Sequence, residues 1–152
     1  FYYRAYPLET LDVAITGTRN MLELAQACGA RFTFFSSSEI YGDPDPKHVP
    51  MSESYRGNVS CIGPRACYDE SKRYGETLCV NFAQQYNLPI KIARPFNNYG
   101  PGLKLSDRRV IPDFFRGIVN NENIDLIRAL SIPWGLFAKL FTSPLAHISA
   151  IL

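Results

Sequence analysis

Tyr68 and Lys72 stand four residues apart, and on a helix that spacing brings both side chains out on one face, about one turn from each other. An ammonium beside a phenol favours the phenolate, which makes the tyrosine a usable general base near neutral pH. Such a pair also arises by chance on solvated helix faces, so its surroundings decide its meaning. Upstream, Ser36-Ser37-Ser38-Glu39 gathers three hydroxyls and a carboxylate; downstream, Arg94-Pro95-Phe96-Asn97-Asn98 gathers a guanidinium and two amides. Cys67, beside Tyr68, reads as a small packing residue rather than a redox centre.

These groups need elements to hold them. Pro7 can open a helix, and Leu11, Ile15, Thr18, Leu22 and Ala25 recur at helical spacing until Gly29 supplies a stop, which predicts a helix over Pro7–Cys28. The short apolar run Phe32–Phe35 predicts a buried strand with the serines at its C-terminal end. Residues 42–64 hold Pro44, Pro46, Pro50, Gly57 and Gly63, too much punctuation for a regular element, and read as one long loop. Helical spacing returns over 67–86, with Tyr68, Lys72, Gly75, Cys79, Phe82 and Tyr86 on one stripe. Ile90–Ala93 is a second buried strand, 94–102 turns away from it, and a further helix is expected over 112–120. Helix, strand, helix, strand with short apolar strands predicts an α/β fold, a parallel sheet with helices on both faces. Ligands of such sheets sit at the C-terminal strand ends, and both polar clusters directly follow a strand.

That order of parts resembles the short-chain dehydrogenases and reductases. Ser36-Ser37-Ser38-Glu39-Ile40-Tyr41-Gly42-Asp43-Pro44, Gly63-Pro64-Arg65-Ala66-Cys67-Tyr68-Asp69-Glu70-Ser71-Lys72-Arg73 and Arg94-Pro95-Phe96-Asn97-Asn98-Tyr99-Gly100-Pro101 resemble the extended branch, the NAD-dependent nucleotide-sugar epimerases, dehydratases and decarboxylases. Gly57-Asn58-Val59 leading into Gly63-Pro64-Arg65 is most similar to the UDP-glucuronate decarboxylases of that branch. The resemblance covers about residues 5–126 and implies a Rossmann-like doubly wound parallel sheet. It also implies NAD as cofactor, a nucleotide-sugar substrate, and a homodimer of the intact enzyme formed through the helices over Pro7–Cys28 and 67–86.

Roles follow by resemblance, position by position. Tyr68 takes the proton of the sugar 4-hydroxyl; Lys72 holds the cofactor ribose and supports the phenolate; Ser37 shares the same sugar oxygen. Asn97 and Ser38 contact substrate, and Arg109 contacts the nucleotide sugar, for which a guanidinium suits because it donates two parallel hydrogen bonds. Read without the family, Arg108 and Arg109 are a solvated turn. Glu39 discriminates among members: dTDP-glucose 4,6-dehydratases carry an Asp-Glu pair where this chain has Ser38-Glu39, and 4-epimerases similar to the UDP-galactose enzyme usually lack the Glu. Ser-Ser-Glu therefore favours decarboxylation, with epimerase and dehydratase as the alternatives.

Composition narrows the remaining choices. With 46% hydrophobic and 20% charged residues over 152, the chain can bury one ordinary core and is neither disordered nor a repeat array. Sixteen Lys and Arg against fourteen Asp and Glu, with no basic run, argue against nucleic acid as a partner. Cys28, Cys61, Cys67 and Cys79 fit neither a disulfide scaffold nor a zinc pattern, which predicts a reduced, cytoplasmic protein; His48 and His147 cannot build a metal site unaided. No GxxGxxG phosphate loop occurs among the ten glycines. Together with the start at Phe1, this reads as a fragment: residues 1–125 are the catalytic part of an NAD-binding domain without its N-terminal cofactor strands, expected to be inert alone. Residues 126–152 form an apolar tail that leaves the family pattern. A shifted reading frame accounts for the break; a divergent native tail and a membrane segment are the alternatives. Pro133, Gly135, Lys139, Pro144 and His147 weigh against a membrane partner.

Overall fold

The computed structural model describes residues 2–98, 100, 102–106, 110–121 and 150–151. Two compact units divide the chain, Phe1–Phe96 with His147–Leu152, and Asn97–Ala146. The expected break at residue 126, the apolar tail up to 149, Tyr99, Pro101, Arg108 and Arg109 lie outside the described residues.

In the first unit a short helix α1 (Tyr2–Ala5) precedes α2 (Pro7–Cys28), which begins with Pro7 in its first turn. Gly29 ends α2 in the left-handed region at φ 61°, its N–H returning to the carbonyls of Ala25 and Gln26. Strand β1 (Phe32–Phe35) follows, then α3 (Ala66–Tyr86), which Asn87 closes at φ 51° just before Pro89. Strand β2 (Ile90–Ala93) runs parallel to β1, with Phe32 opposite Ile90 and Phe35 opposite Ala93. A two-residue strand β3 (Ala150–Ile151) adds antiparallel to the far side of β2. The β1–α3–β2 unit is the parallel crossover that the helix–strand order predicts, and the class is α/β as expected.

The core lies between the helices and one face of the sheet. Leu22 and Ala25 of α2, Cys79 and Phe82 of α3, and Phe34, Ile90 and Ile92 of the strands form one buried cluster, closed by Leu88. Gly75 is required here: a Cβ at that position would run into the ring of Phe34, so α3 lies directly on β1. Among the described residues α2 and α3 lie on one sheet face; strand alternation turns Thr33, Phe35 and Lys91 the other way, where they are exposed, Phe35 by 65%. One expectation needs correction: the segment 42–64 holds more order than a loop, for Pro46–His48 forms a 3₁₀ turn capped by Asp45, and Gly42 bridges Asn58. Asp45 accepts from the Lys47 amide at 2.9 Å, which supplies the cap that the prolines alone do not signal.

In the second unit, α4 (Val110–Asn120) starts two residues before the expected position and takes Pro112 into its first turn, where proline costs no hydrogen bond. Asp113 and Arg116 pair along it at 2.9 Å.

Candidate active site

Strand pairing continues past the end of β1 and aims the serines. The Ser36 amide donates to Ala93 O at 2.8 Å and the Ser38 amide to Pro95 O at 3.0 Å, so the turn after β1 is stitched to the turn after β2. Ser37 is extended, and its Oγ accepts from the Glu39 amide at 3.2 Å, capping a 3₁₀ turn over Ser38–Tyr41. Ser36, Ser37 and Ser38 are all buried, and Ser36 Oγ is a buried oxygen with no hydrogen-bond partner.

Tyr68 and Lys72 project from the first turns of α3, both half-buried. Lys72 Nζ donates to the Phe35 carbonyl at 2.8 Å and lies 5.3 Å from the Phe34 ring centroid and 5.8 Å from that of Tyr68. Burial pushes the lysine below its ordinary pKa. The ammonium thus joins the end of β1, one residue before the serine cluster, to the tyrosine.

Glu39 reaches α3 as well, pairing with Arg65 at 2.7 Å. Arg65 precedes the first residue of α3 and lies over the ring of Tyr3, 5.9 Å from its centroid; Tyr3 in turn faces the Tyr68 ring at 5.6 Å. Cys67 Sγ donates to the Tyr3 carbonyl at 3.4 Å, so α1 is fastened beside Tyr68 by a thiol that the sequence offers only as packing. Burial pushes the Asp69 carboxyl up to about 6; Arg65 opposes that shift, while Glu39 and Glu70 add to it.

The structure therefore brings together Ser37, Ser38, Glu39, Tyr68 and Lys72. Asn97 is exposed and belongs to the second unit; Arg109 lies outside the described residues. Sequence reasoning missed Tyr3 and Arg65. The signal for Arg65 was its place three residues ahead of Tyr68 at the start of a helix, and for Tyr3 the aromatic stretch that opens the chain. No group of three or more His, Cys, Asp or Glu side chains among the described residues could hold a metal ion.

A turn of buried hydroxyls, a carboxylate on an arginine and a tyrosine–lysine pair meet at the C-terminal ends of two parallel strands. They can bind a polyol edge and move a proton at one of its hydroxyls. Known proteins resemble this chain in sequence and fold. The model of the NAD dependent epimerase/dehydratase family matches residues 2–132. UDP-glucuronic acid decarboxylase 6 of Arabidopsis thaliana is 45% identical over 121 residues, covering 80% of this chain and 35% of that protein. UDP-glucuronic acid decarboxylase 1 of Xenopus tropicalis is 43% identical over 122 residues, 80% of this chain and 28% of that one. Among solved structures, RMD from Pseudomonas aeruginosa complexed with NADPH aligns over 70% of this chain and 36% of its own, at TM-score 0.60 and 31% identity. A UDP-glucuronic acid 4-epimerase from Bacillus cereus in complex with NAD aligns over 73% of this chain and 33% of its own, at TM-score 0.58 and 23% identity, a likeness of fold. The chain spans about a third of the length of the curated relatives it matches.

Proposed function

Because the chain belongs to the NAD dependent epimerase/dehydratase family, we propose that it supplies the substrate-handling part of a nucleotide-sugar enzyme that decarboxylates UDP-glucuronate through a 4-keto sugar. One observation carries this reading: at the strand ends, Ser38 rather than an acid stands beside Glu39, and the Glu39 carboxylate is held on Arg65 at 2.7 Å. A dehydratase needs a second acid there to protonate a departing hydroxyl. The relatives named as decarboxylases support the same choice.

The residues fit the ribose and nicotinamide end of NAD. Lys72 presents a partly desolvated ammonium that donates to a strand-end carbonyl, and an ammonium carries three N–H donors, so others can serve ribose hydroxyls. For the pyrophosphate these residues contain no GxxGxxG turn. Held beside Tyr68 and Lys72, NAD would supply the acceptor for the hydride of sugar C4 and the donor that restores it. Tyr68 accepts the proton of the 4-hydroxyl as that hydride leaves, and Ser37 hydrogen-bonds the same oxygen. With C4 a ketone, the C6 carboxylate belongs to a β-keto acid. The C5–C6 bond breaks, its electron pair moves toward the ketone oxygen, and carbon dioxide departs. C5 then takes up a proton, and Tyr68 gives its own back to the C4 oxygen as the ketone is reduced. No net oxidant is needed.

Grafting residues 1–125 in place of the matching segment of the Arabidopsis decarboxylase tests the reading. With UDP-glucuronate and NAD the chimera should release carbon dioxide and a UDP-pentose. Product retaining all the sugar carbons, as the 4-epimer or, from dTDP-glucose, as a 4-keto-6-deoxy sugar, would overturn it. Residues 1–152 by themselves should give no turnover and no saturable calorimetric binding of NAD.

A further inference from the structure

Arg94, at the end of β2, is more heavily engaged than any role in proton transfer explains. Its Nε donates to Glu76 Oε1 at 2.8 Å and its Nη2 to Glu76 Oε2 at 2.6 Å, a two-pronged pair whose side chains are only 11% and 12% exposed. The remaining nitrogen, Nη1, donates to the Tyr41 hydroxyl at 2.9 Å and to the Glu53 carbonyl at 2.8 Å, and the guanidinium lies 5.1 Å from the centre of the Tyr41 ring. One side chain thus joins the end of β2, the middle of α3, the last residue of the Ser38–Tyr41 turn and the centre of the 42–64 segment.

Buried ion pairs give little net stability, because desolvating two charges offsets most of their attraction. What this one adds is geometry. Arg73 backs it from α3, Nη1 donating to the Ile40 and Arg56 carbonyls, each at 3.1 Å. Between the two arginines the turn is pinned at Ile40 and Tyr41, and the segment beyond it at Glu53 and Arg56. The backbone then clasps itself, the Asn58 amide donating to Tyr41 O and the Asp43 amide to Asn58 O, both at 3.0 Å. The other end of the same turn carries Ser37 and Glu39.

We propose that Arg94, oriented by Glu76, is a positioning residue that acts through Tyr41 to hold Ser37, Ser38 and Glu39 at the strand ends. The proposal deepens the function above, since it takes those residues as site residues. Lysine cannot replace the arginine: a point ammonium lacks the planar fork that grips both carboxylate oxygens while reaching Tyr41 and Glu53.

The test is amide exchange and backbone NMR on the full chain, comparing Arg94→Lys and Tyr41→Phe with the parent. Arg94→Lys should speed exchange at Asp43 and Asn58 on the order of tenfold or more and move the amide signals of Ser37–Glu39. Ser36, bonded to Ala93 O, and Cys79 in the core should keep their exchange rates. Tyr41→Phe, which removes one hydroxyl, should give the same pattern at smaller size, and it decides the matter alone if the lysine variant does not fold. Acceleration spread evenly over Ser36, Cys79 and the clasp would make the pair an ordinary core contact and overturn the proposal, as would unchanged Asp43 and Asn58. Turnover is not measured, so failure here leaves the decarboxylase reading standing, and an unexpected product from the chimera leaves this result standing.

Discussion

The two ends of α3 share one helical stripe and meet opposite surroundings. Gly75, Cys79 and Phe82, toward the C-terminus, are buried against Leu22, Phe34 and Ile92, and burial pushes the Cys79 thiol up to about 12, where it is inert. Tyr68 and Lys72, toward the N-terminus, are only half-buried, beside the rings of Tyr3 and Phe34 and the Phe35 carbonyl, and Asp69 next to them is half-buried too. The sheet makes the difference. Lys72 lies level with the Phe35 carbonyl, where β1 stops, so α3 residues before it overhang the strand ends while those after it cover the sheet. A single periodicity therefore yields core on one side of that edge and the candidate site on the other.

Tyr68→Phe is the most forceful way to break the comparison. In the chimera it should lower turnover by roughly 10²- to 10⁴-fold, the range for losing a positioned acid or base, while leaving sugar binding in place. In the chain alone its melting temperature should barely move. On the proposed roles, Lys72→Met should cut the rate and weaken cofactor binding in the same chimera, since it would remove the ribose donor and the charge beside the phenol. A variant that lost stability but kept its rate would place these residues with the core instead.

Leu22→Ala attacks the other end. Leu22 is fully buried and its loss opens a cavity under α3, so the chain should lose about 2–5 kcal/mol of stability, read from thermal or urea unfolding. In the chimera, a folded Leu22→Ala protein should keep its product and nearly its rate. A rate loss as deep as that of Tyr68→Phe would show that packing and chemistry on α3 are not separable.

Much of this was legible because it is local. Pro7 and Gly29 mark the ends of α2, and the short runs Phe32–Phe35 and Ile90–Ala93, three of four residues apolar in each, mark the strands, every one of these signals resting on neighbours within a turn or two. A strand end followed by three serines and a glutamate likewise places one side of the site. What stayed hidden depends on partners far apart in sequence. Arg94 meets Glu76, Glu53 and Tyr41 across 18, 41 and 53 residues, and Cys67 reaches Tyr3 across 64; no periodicity encodes such a choice.

Asp69 offers the smallest and sharpest test, because it distinguishes the two ends of α3 by pH. Its carboxyl is pushed from 3.8 up to about 6, first by burial, against the pull of Arg65, and its Oδ1 is a buried oxygen with no hydrogen-bond partner. A carboxyl with a raised folded pKa binds more protons in the native state than in the unfolded one between those two values. Stability from this group is therefore fullest below about pH 4, falls as pH rises toward 6, and stays at the lower level above. Asp69→Asn should remove that slope and raise the melting temperature modestly near pH 7, since an amide carries no charge to desolvate. Leu22→Ala should lower the curve at every pH and leave its slope alone. Melting temperatures taken in steps from pH 4 to 7 check both at once. If Asp69→Asn kept the parent's slope, the overhanging end of α3 would be no more electrostatically strained than its core end, and the contrast drawn from the edge of the sheet would fail.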